Sequence, residues 1–192
     1  MRLQGKKIAI IVSNEFEDIE LLYPLIRLSE EGAWITVGTL EIGFHPRPAF
    51  SGKPITGRFG STVPPIVLKE GRRFDLKPIA ELDPGSFDAL MIPGGFSPDY
   101  LRRDPKTLDF VRKIHEAGKP IATICHGPWL LISAGVCRGK NMTCFMAIKD
   151  DLTNAGAIYH DQAVVVDGNL ITSRTPDDLP EMCLALIAAL EK

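Results

Sequence analysis

Lys119 to Gly135 reads KPIATICHGPWLLISAG. Pro120 to Ile124 is a short apolar, β-prone run. Cys125, His126 and Gly127 follow, and Pro128 to Ala134 continues as an apolar helical segment that Gly135 stops. A strand, a sharp turn and a helix with a thiol at the bend is the layout of a nucleophile elbow, although Thr123 occupies the place of the pattern's first glycine. The bend lifts the Cys125 side chain out of the sheet. Free N–H groups and the positive end of the helix dipole then favour the thiolate, the reactive form. A cysteine after an apolar strand is also a common core residue. In a regular strand Cys125 and His126 point to opposite faces, so only an irregular backbone lets both reach one cleft. No second Cys or His stands at a ligand spacing from this pair, so no metal is expected.

The rest of the chain sets the frame. Its 192 residues fit one domain, 1–192, large enough for a three-layer core. Net charge is −2 with no basic block, which argues against binding nucleic acid through phosphate contacts. The apolar run near the N-terminus is too short for a signal peptide, and no run approaches a membrane span. Cys125, Cys137, Cys144 and Cys183 are scattered, which fits a reduced, cytoplasmic setting better than a disulfide framework.

In chain order, Lys7 to Val12 reads as a buried parallel strand. A helix is expected over about Glu17 to Glu31, with Ile19, Leu22, Leu25, Ile26 and Leu28 near helical spacing and Pro24 marking a kink or late first turn. Glu15, Glu17, Asp18 and Glu20 crowd its start, where the dipole favours acids. Glu17 stands out because it lies just past the end of the first strand, where open α/β sheets place their sites. Trp34 to Thr39 is a second strand, giving a right-handed β-α-β unit. The Pro-rich stretch Glu41 to Leu82 reads as a surface excursion, with a hairpin over Ile66–Leu68 and Arg73–Leu76; His45 and Arg47 are solvated loop residues or cleft liners. Phe87 to Ile92 is a strand that runs into Pro93-Gly94-Gly95, glycines able to approach a ligand and offer N–H groups to it. Asp104 and Pro105 start a helix over Lys106–Ala117. Strands near Met142–Phe145 and Ala157–His160 flank a helix near Ala147–Ala155. Asp167-Gly168-Asn169 joins a hairpin. The last helix carries a buried stripe of Leu179, Met182, Cys183, Leu186, Ile187 and Leu190.

NEFEDIELLYP (Asn14–Pro24), LMIPGG (Leu90–Gly95), GKPIATICHGPWLLISAGV (Gly118–Val136), IKDDLTNAGA (Ile148–Ala157) and VVVDGNLITSRTPDDLP (Val164–Pro180) together resemble the PfpI family of the class I glutamine-amidotransferase-like superfamily, which also holds the Parkinson-associated deglycases. The resemblance runs over nearly the whole chain and implies a flavodoxin-like α/β sandwich. It implies Cys125 as nucleophile, Glu17 against the sulfur, and His126 as neighbouring base oriented by Asp99 of another subunit. It also implies the N–H groups of Gly95 and His126 as an oxyanion hole, with Gly94 in the binding wall, and a homodimer or hexamer without a cofactor.

A glutaminase of this superfamily needs a His-x-Glu pair near its C-terminus. The matching turn here is Ser173-Arg174-Thr175-Pro176, and His160 lacks the glutamate, so amidotransfer is set aside. The expected chemistry is thiolate addition to a small carbonyl: glyoxal, methylglyoxal or their early adducts on protein. Two alternatives are an intracellular cysteine peptidase and a redox-sensing or holding stress protein in which Cys125 is oxidised without turnover.

Overall fold

The computed structural model describes residues 1–42, 54–63 and 74–192. The elements run β1 (Lys7–Val12), α1 (Asp18–Glu30), β2 (Trp34–Thr39), β3 (Ile55–Thr56), β4 (Thr62–Val63), β5 (Phe74–Pro78), β6 (Ala89–Ile92), α2 (Ser97–Leu101), α3 (Pro105–Glu116), β7 (Ile121–Ile124), α4 (Pro128–Ala134), β8 (Asn141–Met142), α5 (Lys149–Asn154), β9 (Ile158–Tyr159), β10 (Val164–Asp167), β11 (Leu170–Ser173) and α6 (Leu179–Leu190). Among the described residues, one seven-stranded sheet has the order β10-β11-β7-β6-β1-β2-β5. All its pairings are parallel except β10 with β11, the hairpin that Asp167-Gly168-Asn169 announces.

The continuous apolar runs follow from this topology. A parallel strand covered on both faces has no wet side, and β1 buries five of its six residues. Ile8, Ile10 and Val12 face α1 and α6; Ala9 and Ile11 face the opposite layer with Leu90, Phe110, Ile114 and Leu131. This is the flavodoxin-like three-layer sandwich that the sequence implies. The stripe expected on α6 is wholly buried. The Asp104 carboxylate caps α3 by accepting the Thr107 N–H at 2.9 Å, with Pro105 in the first turn.

Three expectations change. The buried face of α1 is Leu21, Pro24, Leu25 and Leu28, with Glu20 among them, while Ile19 and Ile26 are exposed. Pro24 lies within the helix without ending it. Second, Phe74–Pro78 is not part of a surface excursion but the edge strand of the main sheet, parallel to β2. The other half of the expected hairpin, Ile66–Leu68, and also His45 and Arg47, lie outside the described residues. Third, a hairpin at 55–63 and the short helix α2 were not legible in advance. α2 is fixed by the Ser97 hydroxyl, which accepts the Ser13 N–H at 2.7 Å in the buried interior. Among the described residues, no helix is long and apolar enough to cross a membrane.

Candidate active site

The carboxyl ends of β1, β6 and β7 open into one crevice, where sheets of this kind place their sites. The loop after β7 bends at once. Cys125 adopts φ +60°, a left-handed conformation that a side chain with a Cβ occupies at a cost of about 1–2 kcal/mol. Its backbone is clamped on two sides, its N–H donating to the Ser173 carbonyl at 3.2 Å and its carbonyl accepting from Phe145 N–H at 3.0 Å. The glycine missing from position 123 is compensated at Gly127, where a Cβ would overlap the Thr123 hydroxyl. Thr123 in turn donates to the Ile92 carbonyl at 3.2 Å, tying the elbow to β6.

The loop after β6 supplies the facing wall. Gly95 has φ +68°, and a Cβ there would run into the Glu15 carbonyl and the Glu17 N–H. The room is taken by an antiparallel bridge between Phe16 and Gly95. The backbone N–H groups of Gly95 and His126 hydrogen-bond the Cys125 sulfur. Gly94 packs between the reactive groups: the site of a Cβ on it lies 2.7 Å from both Cys125 Cβ and Glu20 Oε2, and 2.9 Å from the His126 nitrogen.

The acid at the sulfur is therefore Glu20, not Glu17. Glu20 is fully buried, and its Oε2 accepts the Gly94 N–H at 2.6 Å. Its Oε1 has no hydrogen-bond partner among the described residues, which leaves that oxygen to carry a proton toward the thiol. Burial, with a smaller push from the Glu17 charge, raises the Glu20 carboxyl to about 8, so it is largely protonated at neutral pH. Glu17 is the N-cap residue of α1 and sits at the rim, its Oε2 3.4 Å from the Arg58 guanidinium. The physical reason is helix phase. Glu17 precedes the first turn and points along the crevice mouth, while Glu20, four residues before Pro24, belongs to the stripe that meets the sheet. The acids of this segment also do more than meet the dipole. Asp18 accepts the N–H groups of Phe59 and Ser61 at 2.8 and 2.7 Å, and Glu15, at φ +60°, accepts from the Tyr100 hydroxyl.

The thiol itself corrects a second expectation. Cys125 is pushed well above the ordinary thiol range, first by burial and then by the charge of Glu20 if that group ionises; the two N–H donors pull it back. α4 has only seven residues, and its dipole does not overcome the desolvation. A protonated Glu20 removes the repulsion and becomes a donor to sulfur, so carboxyl and thiol titrate as one unit. His126 Nδ1 lies 3.1 Å from the sulfur, reached through the irregular turn. Its ring packs edge-on against Trp129 and tilted over Phe145, with centroids at 5.0 and 5.2 Å. Burial, followed by the Arg58 charge, lowers its proton affinity, so the imidazole is neutral and able to accept a proton. Within one chain Asp99, on α2, makes no hydrogen bond to His126. His160 is elsewhere, its Nε2 2.7 Å from Asn141 Oδ1. Beside Phe145 an open cavity of roughly 490 Å³ is lined by Cys144, Met146, Lys149, Tyr159, Asp161 and Arg174. Among the described residues, no three His, Cys, Asp or Glu side chains gather as a metal site.

Known proteins match this chain over nearly its full length. The sequence model described as the DJ-1/PfpI family matches residues 6–189. Deglycase PfpI of Pyrococcus furiosus is 44% identical over 173 residues, covering 90% of this chain and 92% of its own. Protein/nucleic acid deglycase 2 of Escherichia coli is 44% identical over 177 residues, 92% of each. A putative cysteine protease, YraA of Bacillus subtilis, is 43% identical over 175 residues, 91% of this chain and 92% of its own. Among solved structures, a two-domain protein of Anabaena variabilis with DJ-1/ThiJ/PfpI-like and ferritin-like domains superposes with TM-score 0.81 at 38% identity, covering 97% of this chain and 48% of that one. DJ-1β of Drosophila melanogaster superposes with TM-score 0.76 at 26% identity over 98% of this chain and 92% of its own.

Proposed function

The chain belongs to the DJ-1/PfpI family, and we propose that it is a cysteine-dependent enzyme acting on glyoxal, methylglyoxal or their early adducts on protein. The observation that carries this reading is the convergence at one point of a thiol on a strained elbow, two N–H donors and a buried, protonated glutamic acid. That set suits addition of sulfur to a carbonyl better than proton chemistry alone.

For methylglyoxal the steps balance without an external oxidant. His126 takes the thiol proton, and sulfur bonds to the aldehyde carbon. The carbonyl electron pair moves onto oxygen beside the N–H groups of Gly95 and His126, where one such donor is typically worth about 3–4 kcal/mol. Glu20 protonates that oxygen. As a carboxylate it then takes the hydrogen of the same carbon as a proton and returns it to the neighbouring carbon, while the His126 imidazolium gives its proton to the former ketone oxygen and the hydroxyl on the first carbon returns a proton to Glu20. The first carbon thereby rises to the acid level as a thioester while the ketone is reduced to an alcohol. Water, activated by His126, cleaves the thioester, releasing a 2-hydroxy acid and restoring the thiol. With an adduct, the amine leaves as the carbon–nitrogen bond breaks and takes a proton.

Purified protein in amine-free buffer should consume methylglyoxal and release lactate. Cys125→Ala should abolish this, and Glu20→Gln should slow it by about 10²- to 10⁴-fold, the usual worth of a positioned proton donor. Equal turnover by wild type and Cys125→Ala sinks the proposal. A peptidase reading is favoured by one observation, the 3.1 Å approach of a neutral His126 to the sulfur. A peptide panel with Cys125→Ala as control decides it. A second copy would supply Asp99 to orient His126; full activity in a strictly monomeric enzyme, or in Asp99→Ala, removes that element.

A further inference from the structure

The crevice has a cation that the chemistry above does not use. The turn joining β3 and β4 is folded onto the start of α1: Asp18 holds the Phe59 and Ser61 N–H groups, and Gly57 N–H donates to the Ser61 carbonyl at 2.7 Å. Gly57 has to be a glycine here, because a Cβ on it would lie 2.6 Å from Asp18 Cγ. This docking sets Arg58, whose N–H donates to the Phe16 carbonyl at 3.0 Å. Phe16 is the residue bridged to Gly95, so Arg58 stands one step from the oxyanion wall. Its guanidinium is half-exposed at 53%, and its one side-chain contact among the described residues is the long 3.4 Å approach to Glu17. Among the described residues, no other side chain is hydrogen-bonded to its five donors. Its field reaches inward, lowering the proton affinity of both His126 and Glu20.

We propose that Arg58, with Glu17 as its resident counter-ion, forms a carboxylate subsite at the mouth of the Cys125 cleft. A small carboxylate can approach a guanidinium with two parallel hydrogen bonds, a better geometry than the single long contact to Glu17. Glu17 then acts as an internal competitor that holds the arginine in place and is displaced by an anion. The carboxylate could be the hydroxy-acid product or one carried on the amine part of an adduct. The inference rests on Cys125 being the reactive thiol of the proposed function.

Alkylation of Cys125 tests it without turnover. Iodoacetate and iodoacetamide both bond to the sulfur with loss of iodide, but only the first is an anion. The ratio of their rates, followed at Cys125 by mass spectrometry, cancels any change in thiolate content. Arg58→Gln should lower the iodoacetate-to-iodoacetamide ratio by about three- to fivefold, and Glu17→Gln should raise it by a similar factor, the range for one exposed charge. Added salt should compress both differences. Glycolate that slows iodoacetamide labelling of wild type, but not of Arg58→Gln, marks the product as the ligand; protection by N-acetylglycine alone marks the adduct. The same ratio in all three proteins overturns the subsite, as does a Glu17→Gln ratio below wild type. A protein that ignores methylglyoxal yet shows the two opposite shifts refutes the enzymatic reading and keeps the subsite.

Discussion

Replacing Glu20 with glutamine should change how stability depends on pH. The carboxyl rises from its ordinary 4.5 to about 8 because it is buried. The folded protein therefore binds this proton more tightly than the unfolded chain does. Its contribution to stability is fully present below about pH 4.5 and is lost progressively as pH rises toward 8. At about 1.4 kcal/mol for each tenfold change in proton affinity, the whole window is worth roughly 5 kcal/mol as a ceiling. The Gly94 N–H at 2.6 Å and the Cys125 thiol favour the ionised form, and the value of about 8 already includes both; part of the window lies below pH 5. An expected loss of about 2–4 kcal/mol between pH 5 and pH 8 follows. Glutamine is nearly isosteric, can accept the same N–H and never ionises. Urea denaturation of both proteins at pH 5 and pH 8 isolates the group, because every other titration cancels in the difference. Glu20→Gln should be within about 1 kcal/mol of wild type at pH 5 and more stable than it by about 2–4 kcal/mol at pH 8. A mutant-minus-wild-type difference that is the same at both values refutes the buried neutral carboxyl, and the proton source of the mechanism with it.

Gly94→Ala should cut turnover by at least about tenfold with a fold unaltered by circular dichroism, since its methyl would meet Cys125 and Glu20 at 2.7 Å; steady-state kinetics at saturating substrate checks this. Cys125→Gly should be more stable than Cys125→Ala by about 1 kcal/mol in thermal unfolding, because glycine removes the penalty of φ +60° that alanine keeps. Asp18→Ala should cost about 1–3 kcal/mol by leaving the Phe59 and Ser61 N–H groups unpaired, and should speed proteolytic cleavage near residues 57–61 as monitored by mass spectrometry.

The local features of the site were legible because they rest on short-range chemistry. A strand-turn-helix with cysteine at the bend, paired glycines after β6 and the Asp104-Pro105 start of α3 each involve a few adjacent residues. The choice of acid was not legible in the same way, since it depends on which face of α1 meets the sheet. The apolar set Ile19, Leu22, Leu25, Ile26 and Leu28 suggested one phase, and the helix takes another, with Ile19 and Ile26 half in solvent. A signal did exist: Glu20, Pro24 and Leu28 fall four apart, which places a carboxyl inside the buried stripe. A strand near Arg73–Leu76 was legible, but its place at the edge of the main sheet was not, because only the pairing with β2, more than thirty residues earlier, puts it there. Arg58 was invisible for a different reason. Its place at the crevice follows from Asp18 gripping a turn some forty residues away, a contact that no local pattern encodes.

The arrangement resolves a conflict that burial creates. A thiol sealed from water resists ionisation, and this one is only 8% exposed. A nearby carboxylate would make matters worse by repelling the thiolate. The same burial, however, keeps Glu20 protonated through neutral pH, and a neutral carboxylic acid is a donor rather than a repelling charge. The two N–H groups of Gly95 and His126 then stabilise negative charge at the sulfur and, after addition, at the oxygen next to it. Desolvation thus holds both groups neutral at rest, and the acid is ready to donate once His126 has taken the thiol proton. Glu17 could not substitute for Glu20 in this role. Burial holds its carboxyl above the ordinary carboxylate range, with the Arg58 charge pulling it back, but it stands at the rim 3.4 Å from Arg58 and not against the sulfur.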